Sequence, residues 1–337
     1  PVQRNKPRVL ILGGGFGGIY STFNLNRKLK GEIQITLVSD ENFFLFTPFL
    51  HEVATGGVET RHIANPIRRM RGKEDFEFVQ AHVDSIDLSN RKVITNTGEI
   101  SYDYLILALG SASDTPKFAE GKRNTYTLKS LRDGMLIRNH IIRTMEQAER
   151  SSISEQRAML TFIVTGGGYT GIQLVAEVHD FIFRSLLKNY PQVNSDVLRI
   201  ILVHDNEYLL PGMDIKMAKI AQEVLLKKGI EVRLSSRVTG VLDDAVEING
   251  KEIIGCRTIL WVAGNKASPV IANLPVEKDG NARIKVDKYL RVPGYPGVYA
   301  LGDNANFYDE KTGQPLPAKA HFAVRQPNIL ADNIRAE

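Results

Sequence analysis

Gly13-Gly14-Gly15-Phe16-Gly17-Gly18 is the stretch whose reading decides the fold. The apolar run Arg8–Leu12 leads straight into it, as a buried strand would. Phe16–Leu29 leaves it with helical spacing, and Ile33, Ile35, Leu37 and Val38 mark a second strand. A strand, a helix and a strand at this length require a crossover, so the sheet is parallel. Gly13, Gly15 and Gly18 fit G-x-G-x-x-G. In that pattern the first glycine makes a tight turn, the second lets the backbone approach a pyrophosphate, and the third packs helix on strand. The phosphates then meet N–H groups at the positive end of the helix. One such match is weak, because loop glycines also serve flexibility alone.

The pattern returns. Leu160–Thr165 reads as a strand, Gly166–Gly171 as a second glycine turn, Ile172–Leu187 as a helix and Leu198–Val203 as a strand. Arg91–Ile94 and Ile100–Tyr104 form a hairpin pattern in the first half, and the Asn249-Gly250 turn marks one in the second. Leu105–Leu109 ends at Gly110, and Thr258–Ala263 ends at Gly264. A last strand, Gly297–Leu301, ends at Gly302-Asp303, and a helix follows from about Ala318. Ser130 with Asp133 gives a capping-box start to a helix reaching about Arg150. The fold class is therefore α/β, with two Rossmann-like, three-layer β/β/α dinucleotide-binding domains, the second inserted into the first. The polar stretch around Ser113–Asn124 places the crossing, giving 1–115, 116–267 and 268–337 as first domain, insert and return.

The dinucleotide rule asks for an acid at the end of the second strand, to bind ribose hydroxyls. Asp40 and Asp205 are the candidates, each one residue late, after Ser39 and His204. The alternative reading is a pair of strand-end turn aspartates. His204 in the acid's place leaves NADH and NADPH both open.

Bulk properties narrow the chemistry. The chain has 337 residues, 43% apolar and 24% charged, within the range of globular proteins. No apolar run approaches the roughly 20 residues of a membrane-spanning helix, and no signal segment opens the sequence. A net charge of +5 is a modest excess without the basic block expected of a nucleic-acid binder. The single cysteine, Cys256, excludes an intramolecular disulfide, a Cys-x-x-Cys redox pair and cysteine-based metal clusters. Redox work then falls to a bound organic cofactor. His51, His62, His140 and His179 show no ligand spacing, so no metal site is expected.

Taken together the segments resemble the two-dinucleotide-binding flavoprotein superfamily, and within it type II NADH dehydrogenase. The resemblance runs from Val9 to Ile334. It rests on Gly13–Gly18, Asn42–Leu50 with Val53–Gly57, Ile63–Arg68, Tyr104–Ser111, Gly166–Gly171, Leu260–Gly264 and Val298–Asp303, in that order. It implies FAD at the first glycine turn, through Gly13, Gly15, Phe16, Gly17, Gly18, Ser39, Asp40, Val83, Ala108, Leu109, Gly110, Gly302, Asp303, Lys319 and Ala320. It implies NADH or NADPH at the second, through Gly166, Gly168, Tyr169, Thr170, Gly171, His204, Asp205, Ala263 and Gly264. Thr47 and Pro48 would lie near the flavin ring, and Asp303 would accept hydrogen bonds from the ribityl chain.

Three departures qualify that resemblance. A glutamate common in the family after Gly171-Ile172 is Gln173 here, which keeps hydrogen bonding and loses a charge. Of two glutamines usual in the quinone segment only Gln326 remains, with His321 and Arg325 in the matching places. The family's membrane-binding C-terminal helices would lie beyond Glu337. The expected activity is hydride transfer from NADH or NADPH to FAD, then two electrons to a quinone. Gln173, Thr47, Pro48 and Lys319 are the catalytic candidates, Lys319 stabilising an anionic reduced flavin or else being a solvated lysine. Phe43, Phe44, Phe46, Phe49 and Phe322 would line a quinone slot or simply fill the core. The alternatives are a soluble NAD(P)H-dependent flavoprotein reductase with a non-quinone acceptor, and a redox-sensing binding protein. A cytoplasmic location, peripheral on the inner face of the cell membrane, is expected; a homodimer stays open.

Overall fold

The computed structural model describes residues 6–72, 74–309 and 312–337. Ten strands form the two main sheets: β1 (Arg8–Leu12), β2 (Gln34–Ser39), β3 (Glu77–Gln80), β4 (Tyr104–Leu107), β5 (Thr125–Thr127), β6 (Thr161–Thr165), β7 (Arg199–Val203), β8 (Glu231–Arg233), β9 (Thr258–Trp261) and β10 (Val298–Ala300). The helices that matter for the sites are α1 (Phe16–Leu29), α2 (Leu50–Val53), α3 (Leu131–Ala148), α4 (Tyr169–Asp180), α5 (Ile215–Lys227) and α6 (Ala320–Ala336).

The chain divides into two compact units. The first comprises residues 6–45, 64–112 and 265–337 among those described; the second is Phe46–Ile63 with Ser113–Gly264. The sequence division at 115/116 and 267/268 left Phe46–Ile63 in the first domain, whereas these residues pack with the second unit. The reason is tertiary: a short excursion of turns carries no local signal for the helices it will pack against, Leu131–Ala148 and Tyr169–Asp180.

The first unit has an all-parallel sheet in the order β10-β4-β1-β2-β3. Strand alternation sends side chains to opposite faces. Val9, Ile11, Ile35, Leu37 and Ile106 pack with Ile19 and Leu25 of α1 and Leu330 and Ile334 of α6. Leu10, Leu12, Val38, Leu105 and Leu107 face the other way, onto Val83 and Val93 of a three-stranded antiparallel sheet. Both faces of the parallel sheet are thereby buried, which explains its unbroken apolar runs.

The second unit repeats the plan, with a parallel sheet in the order β5-β9-β6-β7-β8. Ile163, Ile201, Ile259 and Trp261 pack on Val238, Val246 and Ile254 of its own antiparallel sheet, Val238–Val241, Ala245–Ile248 and Glu252–Gly255. Cys256 is buried in that cluster, and burial pushes its thiol up to about 12. It is a small core hydrophobe. The capping box at Ser130 and Asp133 starts α3 as its sequence implies. The helix read as Ile172–Leu187 instead starts three residues earlier, at Tyr169, and passes into a π-helical segment, Phe181–Leu186.

Candidate dinucleotide sites

The two glycine turns are built on the same plan. Gly13 N–H donates to the Val38 carbonyl at 2.8 Å, and Gly166 N–H donates to the Val203 carbonyl at 2.8 Å. Both glycines have positive φ, 109° and 108°, where a side chain would be strained. A Cβ on Gly13 would lie 2.2 Å from the Ala108 carbonyl oxygen, and one on Gly166 would lie 2.9 Å from the Ala263 backbone. The third glycine of each turn is closer still. A Cβ on Gly18 would sit 1.8 Å from the Gly13 carbonyl oxygen, and one on Gly171 would sit 1.7 Å from that of Gly166.

The middle glycines differ from these. A Cβ on Gly15 or Gly168 would meet nothing within 4 Å. Each caps its helix without a side-chain hydrogen bond, and neither α1 nor α4 has an acid in its first turn. Open space beside bare backbone at a helix N-terminus suits a phosphate.

Around the first turn, Gly17 approaches Leu301, and Phe16 packs edge-on to Phe44 at 5.0 Å. Ser39 Oγ lies against Gly14, Val83 is buried, and Asp40 pairs with His82 Nδ1 at 3.1 Å. Ala108 and Leu109 follow β4, and the Gly110 carbonyl accepts from Asn304 Nδ2 at 2.7 Å. Asp303 accepts from Ser111 Oγ at 2.7 Å and lines a cavity of about 300 Å³ with Lys266, Asn281, Arg283 and Ala318. Lys319 is the N-cap of α6 and Ala320 its first residue. These residues share one unit and one end of the parallel sheet, the C-terminal end of its strands.

Gln326 has a structural task that its motif did not announce. It is buried, and its side-chain oxygen accepts from Gly302 N–H at 2.7 Å. It holds the Gly302-Asp303 turn, while His321 and Arg325 are exposed on α6. Of the five phenylalanines, Phe43 and Phe44 share a short strand, Phe43–Leu45. Phe44 is in the core of the first unit and Phe322 lies beside His321 on α6. Phe46 and Phe49 are exposed together on the second unit, 5.3 Å apart.

In the second unit Tyr169 and Thr170 open α4, and Gln173 is exposed one turn further on. Ala263 and Gly264 follow β9, with the Ala263 carbonyl held by Trp261 Nε1 at 3.1 Å. Thr47 and Pro48 form an exposed 3-10 turn before α2. Sequence reading missed what ties α2 to α4: Thr55 Oγ1 donates to Glu177 Oε2 at 3.3 Å. Beside that bond His51 is buried; burial lowers its pKa, while Glu52 and Glu177 pull it back up. His204 stands against Gly167 as Ser39 stands against Gly14. Its neighbour Asp205 pairs with Arg237 Nη2 at 3.1 Å. Among the described residues no group of three His, Cys, Asp or Glu could hold a metal ion.

A doubly wound sheet with a phosphate-suited glycine turn, present twice in one chain, defines a two-dinucleotide protein. The pyridine nucleotide-disulphide oxidoreductase family matches residues 7–326. A probable NADH dehydrogenase of Dictyostelium discoideum is 35% identical, over 96% of this chain and 74% of that protein. The type II NADH:quinone oxidoreductase of Mycobacterium tuberculosis is 32% identical, over 98% of this chain and 72% of its own length. The external alternative NAD(P)H-ubiquinone oxidoreductase B4 of Arabidopsis thaliana mitochondria is 33% identical, and the chain spans 57% of it. The structure of NDH2 from Plasmodium falciparum in complex with NADH superposes with a TM-score of 0.88 at 21% identity, over 98% of this chain and 83% of that one, which establishes the shared fold. The chain belongs to the pyridine nucleotide-disulphide oxidoreductase family and, within it, to the type II NADH dehydrogenases.

Proposed function

We propose that this chain oxidises NADH or NADPH through bound FAD and delivers two electrons to a quinone. The observation that carries the reading is the glycine turn built twice, with the same backbone bond at its first glycine, the same closeness at its third and the same open space at its middle one. The first unit holds FAD through Gly13–Gly18, Ser39, Asp40, Val83, Ala108–Gly110, Gly302, Asp303 and Ala320. The second holds the nicotinamide nucleotide through Gly166–Gly171, His204, Asp205, Ala263 and Gly264. The residues fit both groups: the space beside Gly15 and Gly168 is open, and each helix start lacks a side-chain cap and an acid.

When bound, FAD would supply the redox chemistry, acceptance of a hydride from the nicotinamide and release of two electrons to the acceptor. The chain supplies orientation and charge. Asp303 offers carboxylate oxygens at a polar cavity, where ribityl hydroxyls would donate to them. Lys319, at the start of α6, places a cation in the unit that holds the flavin. Gln173 provides an amide rather than a carboxylate, so it orients without taking a proton.

Contact with the inner face of the cell membrane follows from a lipid-soluble acceptor. No helix among the described residues is long and apolar enough to cross a membrane. The test is a visible spectrum of the purified protein, then anaerobic titration with NADH and NADPH and turnover with a short-chain quinone. A colourless protein that cannot be reconstituted with FAD refutes the reading. A flavin bleached by NADH but not reoxidised by any quinone replaces the quinone with another acceptor.

A further inference from the structure

Arg283 joins two parts of the first unit that lie 33 positions apart in the chain. At one end its Nε donates to Asp279 Oδ2 at 2.7 Å, and its backbone N–H donates to Asp279 Oδ1 at 2.9 Å. At the other end its Nη1 donates to the Leu316 carbonyl at 2.9 Å. The Arg283 and Asp279 side chains are only 13% and 17% exposed. Water is largely shut out, so these charge-assisted bonds hold more firmly than a surface pair. Arg283 also shares the wall of the polar cavity with Asp303 and Ala318.

Both ends of this strut are themselves fixed. Asp279 Oδ1 accepts a further bond from Asn281 N–H at 2.9 Å, and Asp279 N–H donates to the Arg283 carbonyl at 2.9 Å. The strand Ile284–Lys285 then runs parallel to Ala305–Asn306, which follows the Gly302–Asn304 turn. Leu316 stands between Pro315 and Pro317, and its N–H donates to the Phe307 carbonyl at 2.8 Å. A residue before proline is biased to extended backbone, and proline fixes its own φ. Only Pro317 and Ala318 separate Leu316 from Lys319, the N-cap of α6. So stiff and short a link carries the position of the guanidinium to the start of that helix.

We infer that Arg283 is a positioning residue for the flavin: its hold on the Leu316 carbonyl sets where Lys319 and the start of α6 stand relative to Asp303. The inference rests on the FAD reading of the first unit. Gln326 already holds the Gly302 end of the same wall through the Gly302 N–H. Arg283 holds the other end, so two inward-facing side chains fix the segments on either side of the cavity. A guanidinium suits this task, because its nitrogens lie in one rigid plane and serve acceptors at opposite ends. An ammonium is a single point and serves one end at a time. Fixed charges stabilise a developing anion because they need no reorganisation. Without the tie to Leu316 the Lys319 cation is less firmly placed, and its effect on the reduced flavin falls.

The experiment compares Arg283→Gln, Arg283→Lys, Lys319→Met and the double variant Arg283→Gln/Lys319→Met with the unaltered protein, each loaded with FAD. The readouts are the flavin reduction potential by dye equilibration and the FAD dissociation constant by fluorescence. Arg283→Gln is expected to lower the potential, in the same direction as Lys319→Met, and to weaken FAD binding about tenfold or more. Arg283→Lys, which keeps the charge opposite Asp279, is expected to show a smaller shift of the same sign. The double variant is expected to lie no lower in potential than Lys319→Met alone, since Arg283 acts through Lys319. A potential and an FAD affinity both unmoved in Arg283→Gln overturn the inference, whatever happens to Tm, because Arg283 is then structural only. Fully additive shifts in the double variant also overturn it. Where Arg283→Gln does not fold, Arg283→Lys decides in the same way, with an unmoved potential overturning the inference. If the unaltered protein is colourless and cannot be reconstituted with FAD, the FAD reading falls and the inference with it.

Discussion

Gly168 and Gly171 are three residues apart in one turn, and alanine at each should fail in opposite ways. At Gly171 a methyl would sit 1.7 Å from the Gly166 carbonyl oxygen. Ordinary contact needs about 3.4 Å, and the obstacle is backbone with no rotamer to give. Helix α4 must therefore move off the turn, at a cost of about 3 kcal/mol or more by analogy with overpacked cores. For a unit of this size that lowers Tm by about 6–12 °C. At Gly168 a methyl meets nothing within 4 Å, and φ is −77°, which alanine adopts without strain. Alanine is a poorer N-cap than glycine but stiffens the unfolded chain, and these terms nearly cancel, within about 1 kcal/mol. The methyl does fill the space through which a pyrophosphate approaches. Losing one charge-assisted hydrogen bond there weakens NADH binding about 10- to 100-fold. Thermal unfolding and NADH titration on both variants provide the assay. Gly168→Ala that melts as early as Gly171→Ala, or that binds NADH as the unaltered protein does, refutes the division of labour between these glycines.

His140 is half-buried between Tyr126 Oη, 2.9 Å from Nδ1, and Thr258 Oγ1, 2.8 Å from Nε2, and desolvation lowers its pKa to about 4. A histidine depressed on folding binds its proton more readily unfolded, so its share of stability is whole above pH 6.5 and lost as pH falls toward 4. Chemical denaturation should lose about 1.4 kcal/mol per pH unit across that window, and the slope should flatten in His140→Gln. Lys319→Met should lower the flavin reduction potential, read by dye equilibration; an unchanged potential removes Lys319 from the electrostatics of the reduced flavin. Cys256, fully buried with its thiol near 12, should resist iodoacetamide at pH 8 in the folded protein and react once denaturant is added. Alkylation of the native protein at the rate of a free thiol would contradict its packing.

Much of the first unit can be read residue by residue, because its signals are local. The apolar run Arg8–Leu12 matches β1, the spacing of Phe16–Leu29 matches α1, and the glycines between them fix the turn by sterics alone. The capping box at Ser130 is local in the same way. The less legible features join residues far apart in the chain. Thr55 meets Glu177 across 122 positions and Asp205 meets Arg237 across 32. Gln326 illustrates the opposite hazard. Its motif points to the quinone segment and gives no sign of the bond its side-chain oxygen accepts from Gly302 N–H.

By itself the sequence determined that two strand–turn–helix units exist, because a backbone that must pass within van der Waals reach of itself tolerates only glycine at Gly18 and Gly171. It determined too that one cysteine leaves redox chemistry to a bound group. Only the tertiary structure decided that Phe46–Ile63 packs with the second unit, and that His204 takes the place Ser39 holds in the first. It also set the Arg237 guanidinium beside Asp205. The physical reason is range. Backbone sterics and side-chain periodicity act within a few residues and are written in order along the chain. Charge pairing and burial act through space, and the residues they join are neighbours only after the sheets have formed.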